Sequence, residues 1–188
     1  FNSYTENSTS YKSKEDYEVF GAFLIKTSLP LKKIDDDEND YLKPIASFRY
    51  SPNNTKDISD KDLRLSYDNI FALNRIGTNE IVEGGKSLSL GFEYENRNKI
   101  NEKLFSFSLA NSMSDRKNTN LPSKTKLNEK RTDLVGKFSF SPNKVLNFDY
   151  SFSYDNNLKN SNYDSISTSV NYGICLLYTS DAADDAWC

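Results

Sequence analysis

The sequence predicts an all-β fold: an antiparallel up-and-down meander that forms an unclosed arc of a transmembrane outer-membrane β-barrel. Three observations predict it. Runs of about ten residues alternate between apolar and polar side chains, which puts the apolar ones on one face of a strand. Aromatic residues make up 13% of the chain, and aromatic side chains favour strands. Short and long polar connections separate the runs, as in outer-membrane barrels.

The clearest alternating run covers residues 87–95, where leucine, phenylalanine and tyrosine alternate with serine, glycine and glutamate. Six further runs show the same period with less regularity, and all of them lie within residues 1–173. We predict strands at residues 18–29, 44–50, 86–95, 103–113, 132–141, 145–155 and 164–172.

The alternation also divides the strand side chains into two sets. A barrel wall turns its apolar set to lipid and its polar set to the lumen. The lipid-facing candidates are Leu88, Leu90, Phe92, Phe105, Phe107, Phe138, Phe140, Phe148, Tyr150 and Phe152. The lumen-facing candidates are Ser89, Glu93, Lys137, Asp149 and Ser151.

The connections predict which end of the wall faces outward. Residues 55–85 lack alternation but contain several apolar side chains, which favours an ordered loop folded onto the barrel or into its lumen. Long loops face outward in such barrels, so residues 51–85 and 114–131 are predicted outside. Residues 96–102 and 142–144 are then periplasmic turns. Pro30 ends the first strand, and the 30–43 link is predicted on the periplasmic side as well.

Composition excludes several classes of protein. The mean hydropathy is -0.72, and no apolar run approaches the roughly 20 residues that a spanning helix needs. The net charge of -3 without a basic face argues against a nucleic-acid partner. The chain has no histidine, which excludes His-based catalysis and His-ligated metals. We therefore predict a non-enzyme with no catalytic residue, metal or cofactor, and attribute Glu93 and Glu95 to a polar wall.

The end of the chain differs from the rest. Residues 174–188 hold both cysteines and the single tryptophan and are rich in alanine. Residues 175–185 resemble a translated sequencing adapter, so we predict that this tail is not native and exclude it from the fold. Phe1 follows no initiating methionine or signal peptide. The sequence is therefore expected to be a fragment without its natural ends.

Alternation alone leaves other interpretations open. A secreted β-sandwich or a repetitive adhesin also alternates apolar and polar residues. Strands of about nine to eleven residues, against about 5–6 in soluble domains, favour the membrane. The Leu, Phe and Tyr composition of the apolar set, with tyrosines at strand ends, favours it too. A generic outer-membrane porin or a nutrient receptor would account for the same pattern.

One segment favours a particular family among these alternatives, because its sequence resembles a segment of that family. Residues 63–85 resemble the D-x-x-N-L-F-x-x-x-R-x-x-G-x-D-R-x-E-G-G segment of the LptD family of outer-membrane lipopolysaccharide-assembly proteins. Weaker similarities to the family occur elsewhere, in the same order along the chain as in the family. They lie at residues 29–31, 44–45, 50–53 and 131–155. The family's Asp-Arg pair is Asn79-Glu80 here, so a salt bridge of that arginine does not transfer. The matching motif residues are Asp68, Asn69, Phe71, Arg75, Gly77, Glu83, Gly84 and Gly85.

The resemblance implies a function. Residues 1–173 would be part of an LptD-type barrel in the outer membrane of a Gram-negative cell, within the translocon that assembles lipopolysaccharide into the outer leaflet. Its partners would be lipopolysaccharide, a plug lipoprotein of the LptE type, periplasmic bridge proteins of lipopolysaccharide transport, and outer-membrane lipids. Arg75 and residues 83–85 are expected to shape the long loop and not to bind a ligand.

Overall fold

The computed structural model describes residues 21–34, 38–77, 81–172 and 175–180, the last as backbone only. These residues form one antiparallel sheet of nine strands. From β3 to β9, each strand pairs with its neighbours in sequence, while β1 and β2 both pair with β3. The strands are β1 (Phe23–Ser28), β2 (Leu31–Ile34), β3 (Glu38–Ser51), β4 (Gly85–Asn98), β5 (Lys103–Ser114), β6 (Leu134–Phe140), β7 (Leu146–Tyr154), β8 (Ser161–Tyr172) and β9 (Cys175–Ser180).

The meander confirms the predicted fold class. Every strand pair is antiparallel, and in the described part of the chain the sheet does not close, because β1 and β9 are not paired with each other. Tight turns join β4 to β5 and β6 to β7 at one end of the sheet. Residues 52–84 and 115–133 form the long loops at the other end. No helix in the described ranges is long and apolar enough to cross a membrane.

Two prolines divide the first hairpin of the sheet. β1 pairs with the second half of β3 as far as Ser28, and β2 resumes the pairing at Leu31. Pro30 and Pro44 lie at the break, and neither has an N–H to donate to the ladder. The predicted first strand at 18–29 is therefore shorter in the described part of the chain, and residues 18–20 lie outside that part.

The 30–43 link, predicted as a connection, contains β2 and the beginning of β3, so that prediction was wrong. Asp40 of this segment is accommodated by cross-strand hydrogen bonds. The Tyr94 hydroxyl and the Asn96 amide donate to Asp40 at 2.8 and 3.0 Å. As a result β3 pairs with β4 over 14 residues, from Glu38 opposite Asn98 to Ser51 opposite Gly85.

The register gives the sheet an apolar face and a polar face. The side that carries the lipid-facing candidates is called the apolar face. The opposite side is called the polar face. Large apolar side chains on the apolar face remain exposed, for example Phe48 (41%), Leu88 (39%) and Leu90 (44%). Within the described ranges no second sheet or helix covers them. A β-sandwich would bury this face, and the described residues contain no layer that does so.

The apolar side chains form a band that crosses the strands at an angle. On β4 the band runs from Leu88 to Tyr94, and on β8 from Ile166 to Val170. The register through β5, β6 and β7 aligns Ile166 with Tyr94. The band therefore moves about four to six residues along the strands between β4 and β8. With about 3.3 Å per residue and about 4.8 Å between strands, this corresponds to a tilt of about 40°, within the range of barrel strands.

Aromatic rings pack across neighbouring strands within this band. Phe105 and Phe138 lie edge to face with ring centroids 5.2 Å apart, a geometry that the ring quadrupoles favour. Phe152 covers Gly136 on the adjacent strand, where an added Cβ would lie 2.3 Å from the ring. Gly136 therefore leaves room for an aromatic ring over the backbone.

The buried core lies on the polar face and is built largely from the two long loops. We call the described residues of these loops, 52–77, 81–84 and 115–133, the cap. The cap packs on the half of the polar face nearest the loop end. Its apolar residues meet three small or branched side chains from the sheet. The core consists of Ile58, Leu65, Ile70, Phe71, Ile76, Leu121 and Leu127 from the cap, with Ile45, Ala110 and Val135 from the sheet.

Candidate functional site

The candidate site is the polar face of the sheet together with the cap that lies on it. All five lumen-facing candidates lie on this face. The register aligns Glu93, Lys137 and Ser151 in one row across the sheet, with Ser108 between the first two. Asp149 lies in the next row, opposite Ser139. All ten lipid-facing candidates lie on the opposite face.

The polar face is rich in serine. Six partly exposed serine side chains lie in two neighbouring rows between β4 and β8, close to the charged residues of the wall. Serine has a short side chain that both donates and accepts hydrogen bonds. The surface therefore offers many weak polar contacts without projecting far from the backbone. These residues are Ser106, Ser108, Ser139, Ser151, Ser165 and Ser167.

Several charged side chains of the polar wall are paired. Lys43 Nζ lies 2.7 Å from Glu93 Oε2 on the neighbouring strand. Lys137 Nζ lies 2.7 Å from Asp68 Oδ2 of the cap. The Ser139 hydroxyl donates to Asp149 at 2.5 Å. The two ion pairs offset the charges of Glu93 and Lys137, whereas Asp149 accepts a hydrogen bond from a neutral hydroxyl.

Tyr67 joins the cap to this row of charges. Its hydroxyl donates to Glu93 Oε1 at 3.2 Å. Burial raises the pKa of Tyr67 well above its ordinary value, and the nearby Glu93 carboxylate raises it further. Tyr67 is therefore a neutral donor throughout the physiological range, and it holds the cap against the wall.

A buried ionic cluster attaches the cap at the loop end of the sheet. Arg75 Nε donates to Glu83 Oε2 at 2.9 Å, and a second Arg75 nitrogen contacts Glu83 Oε1. Arg49 of β3 lies beside the same carboxylate, with Nη1 3.7 Å from Glu83 Oε2. All three side chains are at most 4% exposed. We call Arg49, Arg75 and Glu83 the buried ion cluster.

Hydrogen bonds connect the buried ion cluster to the backbone and to the wall. Arg49 Nε donates to the Leu73 carbonyl at 2.9 Å. Arg75 Nη1 donates to the Ser112 hydroxyl at 2.6 Å. The Ser89 hydroxyl lies 3.0 Å from that of Ser112. Ser89 is therefore buried under the cap, unlike the other four lumen-facing candidates.

Phe71 of the motif fills a depression in the polar face. Its ring lies over Gly91, where an added Cβ would lie 2.9 Å from the ring and 2.7 Å from Ala110. Lys26 of β1 lies over the other part of the ring, 5.4 Å from its centroid. Small residues on two neighbouring strands thus provide a socket for one aromatic side chain of the cap.

The remaining motif residues shape the cap backbone. Asn69 Oδ1 accepts a hydrogen bond from the Ser66 N–H at 2.8 Å and closes a turn. At Gly84 an added Cβ would lie 1.9 Å from the Asn53 carbonyl oxygen. Gly85 has φ +98° and Gly77 has φ 71°, a backbone region that favours glycine. That Arg75 and residues 83–85 shape the loop and bind no ligand stays a prediction.

The second long loop is bound to the first and to the turn that follows β7. The Leu65 N–H donates to the Thr125 hydroxyl at 2.9 Å. Lys126 Nζ lies 2.5 Å from Asp155 Oδ1. This contact raises the pKa of Lys126 and holds the pKa of Asp155 below its ordinary value. Both groups are therefore charged at neutral pH.

The sequence predicted only part of this arrangement. It singled out Arg75 and Glu83 through the motif but did not identify Arg49 or Ser112 as their partners. No local signal marks either residue, because a strand arginine or serine with this spacing is ordinary on a polar face. Among the residues described, no group of three or more His, Cys, Asp or Glu could hold a metal ion.

The comparison with protein families identifies the chain at the family level. A model of LptD, described as LPS transport system D, matches residues 3–185. The chain belongs to the LptD family. Among curated proteins, no relative matches it. The segment at residues 63–85 provides Phe71 and two of the three residues of the buried ion cluster, Arg75 and Glu83.

Membership in the LptD family indicates a general role for the chain in the transport and assembly of lipopolysaccharide at the outer membrane. The LptD match extends through residues 174–185, and the backbone of β9 pairs with β8 there. The boundary near residue 173, and the non-native origin of the tail, stay predictions.

Proposed function

We propose that this chain forms part of the wall of the translocon that assembles lipopolysaccharide into the outer leaflet of the Gram-negative outer membrane. The uncovered apolar face carries this proposal. An exposed band of Leu, Phe and Tyr is stable when hydrocarbon covers it. The ten lipid-facing candidates then contact lipid, and the polar face borders the lumen.

The chemistry of the polar face suits the passage of a carbohydrate. Sugars bind through hydroxyl groups, and the serine rows offer hydroxyl partners at many neighbouring positions. The charged wall residues Glu93 and Lys137 are already paired, so they would not hold a passing sugar tightly. Lipopolysaccharide would pass its sugars along this face while its acyl chains enter the leaflet through a seam of the complete barrel.

In this proposal the position of the cap defines which end of the wall faces outward. Residues 52–84 and 115–133 lie at the outward end, and the short turns at 99–102 and 141–145 face the periplasm. Lipopolysaccharide would arrive at the periplasmic end from bridge proteins of the transport pathway. A plug lipoprotein of the LptE type would contact the part of the polar face that the cap leaves open.

A generic porin or nutrient receptor is the second candidate. The exposed apolar band and the serine-rich face would serve such a protein equally well. Family membership favours lipopolysaccharide assembly, because a family described as an LPS transport system accounts for the motif as well as the strands. The two candidates differ in the molecule that they transport. An experiment that measures both surface lipopolysaccharide and solute uptake therefore distinguishes them.

Depletion of the full-length protein in its own organism tests the proposal. We expect the amount of lipopolysaccharide at the cell surface to fall as the protein is depleted, and to recover when the wild-type gene is restored. Uptake of small solutes is the matched readout for the second candidate. Normal surface lipopolysaccharide together with reduced solute uptake would contradict the proposal.

A further inference from the structure

We propose that a cavity on the polar face binds a single sugar ring through its hydroxyl groups. The cavity has a volume of about 240 Å³, and no residue of the cap lines it. Its polar wall is formed by Tyr41, Lys43, Glu93, Glu95 and Arg97, so we call it the turn-end cavity. The inference deepens the proposed function and rests on it, because that function places the polar face in the lumen.

A break in the sheet lies beside the turn-end cavity. β1 ends at Ser28 and β2 begins at Leu31, so no residue of either strand is in register with Lys43. Pro30 and Leu31 line the cavity at this break. Pockets for drug-sized ligands measure about 300–1,000 Å³. The turn-end cavity is smaller, which suits a molecule of the size of one sugar ring.

The charged side chains that line the turn-end cavity are paired with one another. Lys43 Nζ lies 2.7 Å from Glu93 Oε2, and Arg97 Nη2 lies 2.6 Å from Glu95 Oε2. An ionic ligand would have to separate such a pair. A neutral hydroxyl can instead donate to the carboxylate and accept from the cation while the pair stays intact. The wall therefore favours a polyhydroxy ligand over an ion.

The carboxylate of Glu95 is oriented so that one of its oxygens can accept a ligand hydroxyl. Arg97 Nε and Nη2 both donate to Glu95 Oε2, at 2.9 and 2.6 Å. This geometry leaves Oε1 for a second donor. Both side chains are about three-tenths exposed, so a ligand can reach them from the lumen.

Tyr41 supplies the aromatic side chain of the turn-end cavity. Lys32 Nζ and Arg97 Cζ lie 5.1 and 5.3 Å from the centroid of its ring, and such cation–π contacts hold the ring in place. A tyrosine ring offers an apolar surface to the C–H groups of a sugar and a hydroxyl to its oxygens. Lys32 brings the net charge in and beside the cavity to +1, so phosphate is the competitor that tests the preference for a sugar.

The position of the turn-end cavity suits a first contact on the path of the sugars. Tyr67 of the cap contacts Glu93 Oε1 at 3.2 Å, and the cavity lies on the turn side of this contact. In the proposed orientation that side is the periplasmic one. Ser106 and Ser108 are in register with Glu95 and Glu93, so the serine rows begin beside the cavity. Binding through partly exposed, already paired groups is weak, which allows a transported sugar to leave again.

A binding titration with the purified full-length protein in detergent tests the inference. The probe is the lipid-free core oligosaccharide of the organism's own lipopolysaccharide, followed by saturation-transfer NMR. The test variants are E95A and R97A. The control is E102A, because Glu102 pairs with Lys144 at the same end of the sheet but outside the cavity. We expect each test variant to bind the oligosaccharide about tenfold more weakly than wild type, and the control to bind like wild type.

All three substitutions remove one partner of a partly exposed ion pair, which contributes little to stability. The mobility of unheated samples on gels checks that each variant is folded. Equal binding by E95A and E102A would overturn the inference. Displacement of the oligosaccharide by inorganic phosphate would overturn it as well, because the cavity would then be a site for anions.

The source of the sugar is distinguished by a second probe, maltoheptaose, and by the depletion experiment. If E95A weakens the binding of maltoheptaose but not that of the core oligosaccharide, the cavity is a sugar site and the lipopolysaccharide proposal is contradicted. If surface lipopolysaccharide falls on depletion while E95A and R97A bind both probes like wild type, the proposed function stands and the inference is wrong.

Discussion

Glu83 is the carboxylate that both arginines of the buried ion cluster face, so its charge offsets theirs. Arg75 and Arg49 both face it, and all three side chains are almost fully buried. Removing one partner of a buried ion pair leaves an uncompensated charge in a medium that solvates it poorly. Arg75 and Glu83 thus attach the loop to Arg49 of the wall.

We expect Glu83→Gln to lower the free energy of unfolding of the full-length protein by about 3–5 kcal/mol. Glu95→Gln is the control, because Glu95 pairs with Arg97 in a half-exposed site, where an ion pair contributes about 0–1 kcal/mol. Denaturant titration in detergent measures both. Equal losses for the two variants would show that the buried ion cluster does not hold the cap.

The sequence predicted which residues share a face far better than it predicted which residues meet. Alternation is a local property with period two, so Leu88 and Ser89 could be assigned to opposite faces from the sequence. The contact of Arg49 with Glu83 joins β3 to the end of the cap across 34 residues. Such a contact depends on how the loop returns to the sheet, and no local pattern encodes it.

At the scale of single strands, the two faces should respond differently to the same charge. Ile166 on β8 lies in the apolar band and is 49% exposed, while its neighbour Ser165 points to the polar face. An arginine in the lipid-facing band costs about 2–4 kcal/mol at the middle of the membrane, whereas lumen positions tolerate charge.

We therefore expect Ile166→Arg to reduce the fraction of full-length protein that folds in the outer membrane, and Ser165→Arg to leave it near wild type. The folded fraction can be measured from the mobility of unheated samples on gels. The opposite ranking of these two adjacent substitutions would place lipid on the serine face.

The strands that the sequence predicted well are those with regular alternation. β4, β5, β7 and β8 were predicted with bounds close to those observed. The beginning of β3 and all of β2 were missed, because two prolines and an acidic run resemble a connection. Cross-strand hydrogen bonds from Tyr94 and Asn96 to Asp40 stabilise the pairing at the beginning of β3, which the local sequence pattern does not predict.

At the scale of the whole molecule, protein covers part of one side of the sheet and leaves the other side uncovered in the described residues. The cap and its core lie on the polar face, and the apolar face has no protein layer in the ranges described. The band of apolar residues crosses the strands at about 40°, the tilt of a barrel wall. A soluble sheet would have the reverse coverage, with its apolar side inside.

A nitroxide scan along β7 tests this account most directly. Each residue from 146 to 154 is replaced in turn by a spin-labelled cysteine in the full-length protein, with its native cysteines substituted, in lipid vesicles. We predict that access to oxygen, which dissolves in lipid, peaks at Leu146, Phe148, Tyr150 and Phe152, and that access to a water-soluble nickel reagent peaks at the residues between them. Absence of this alternation, or its reversal, would contradict the claim that lipid covers the apolar face.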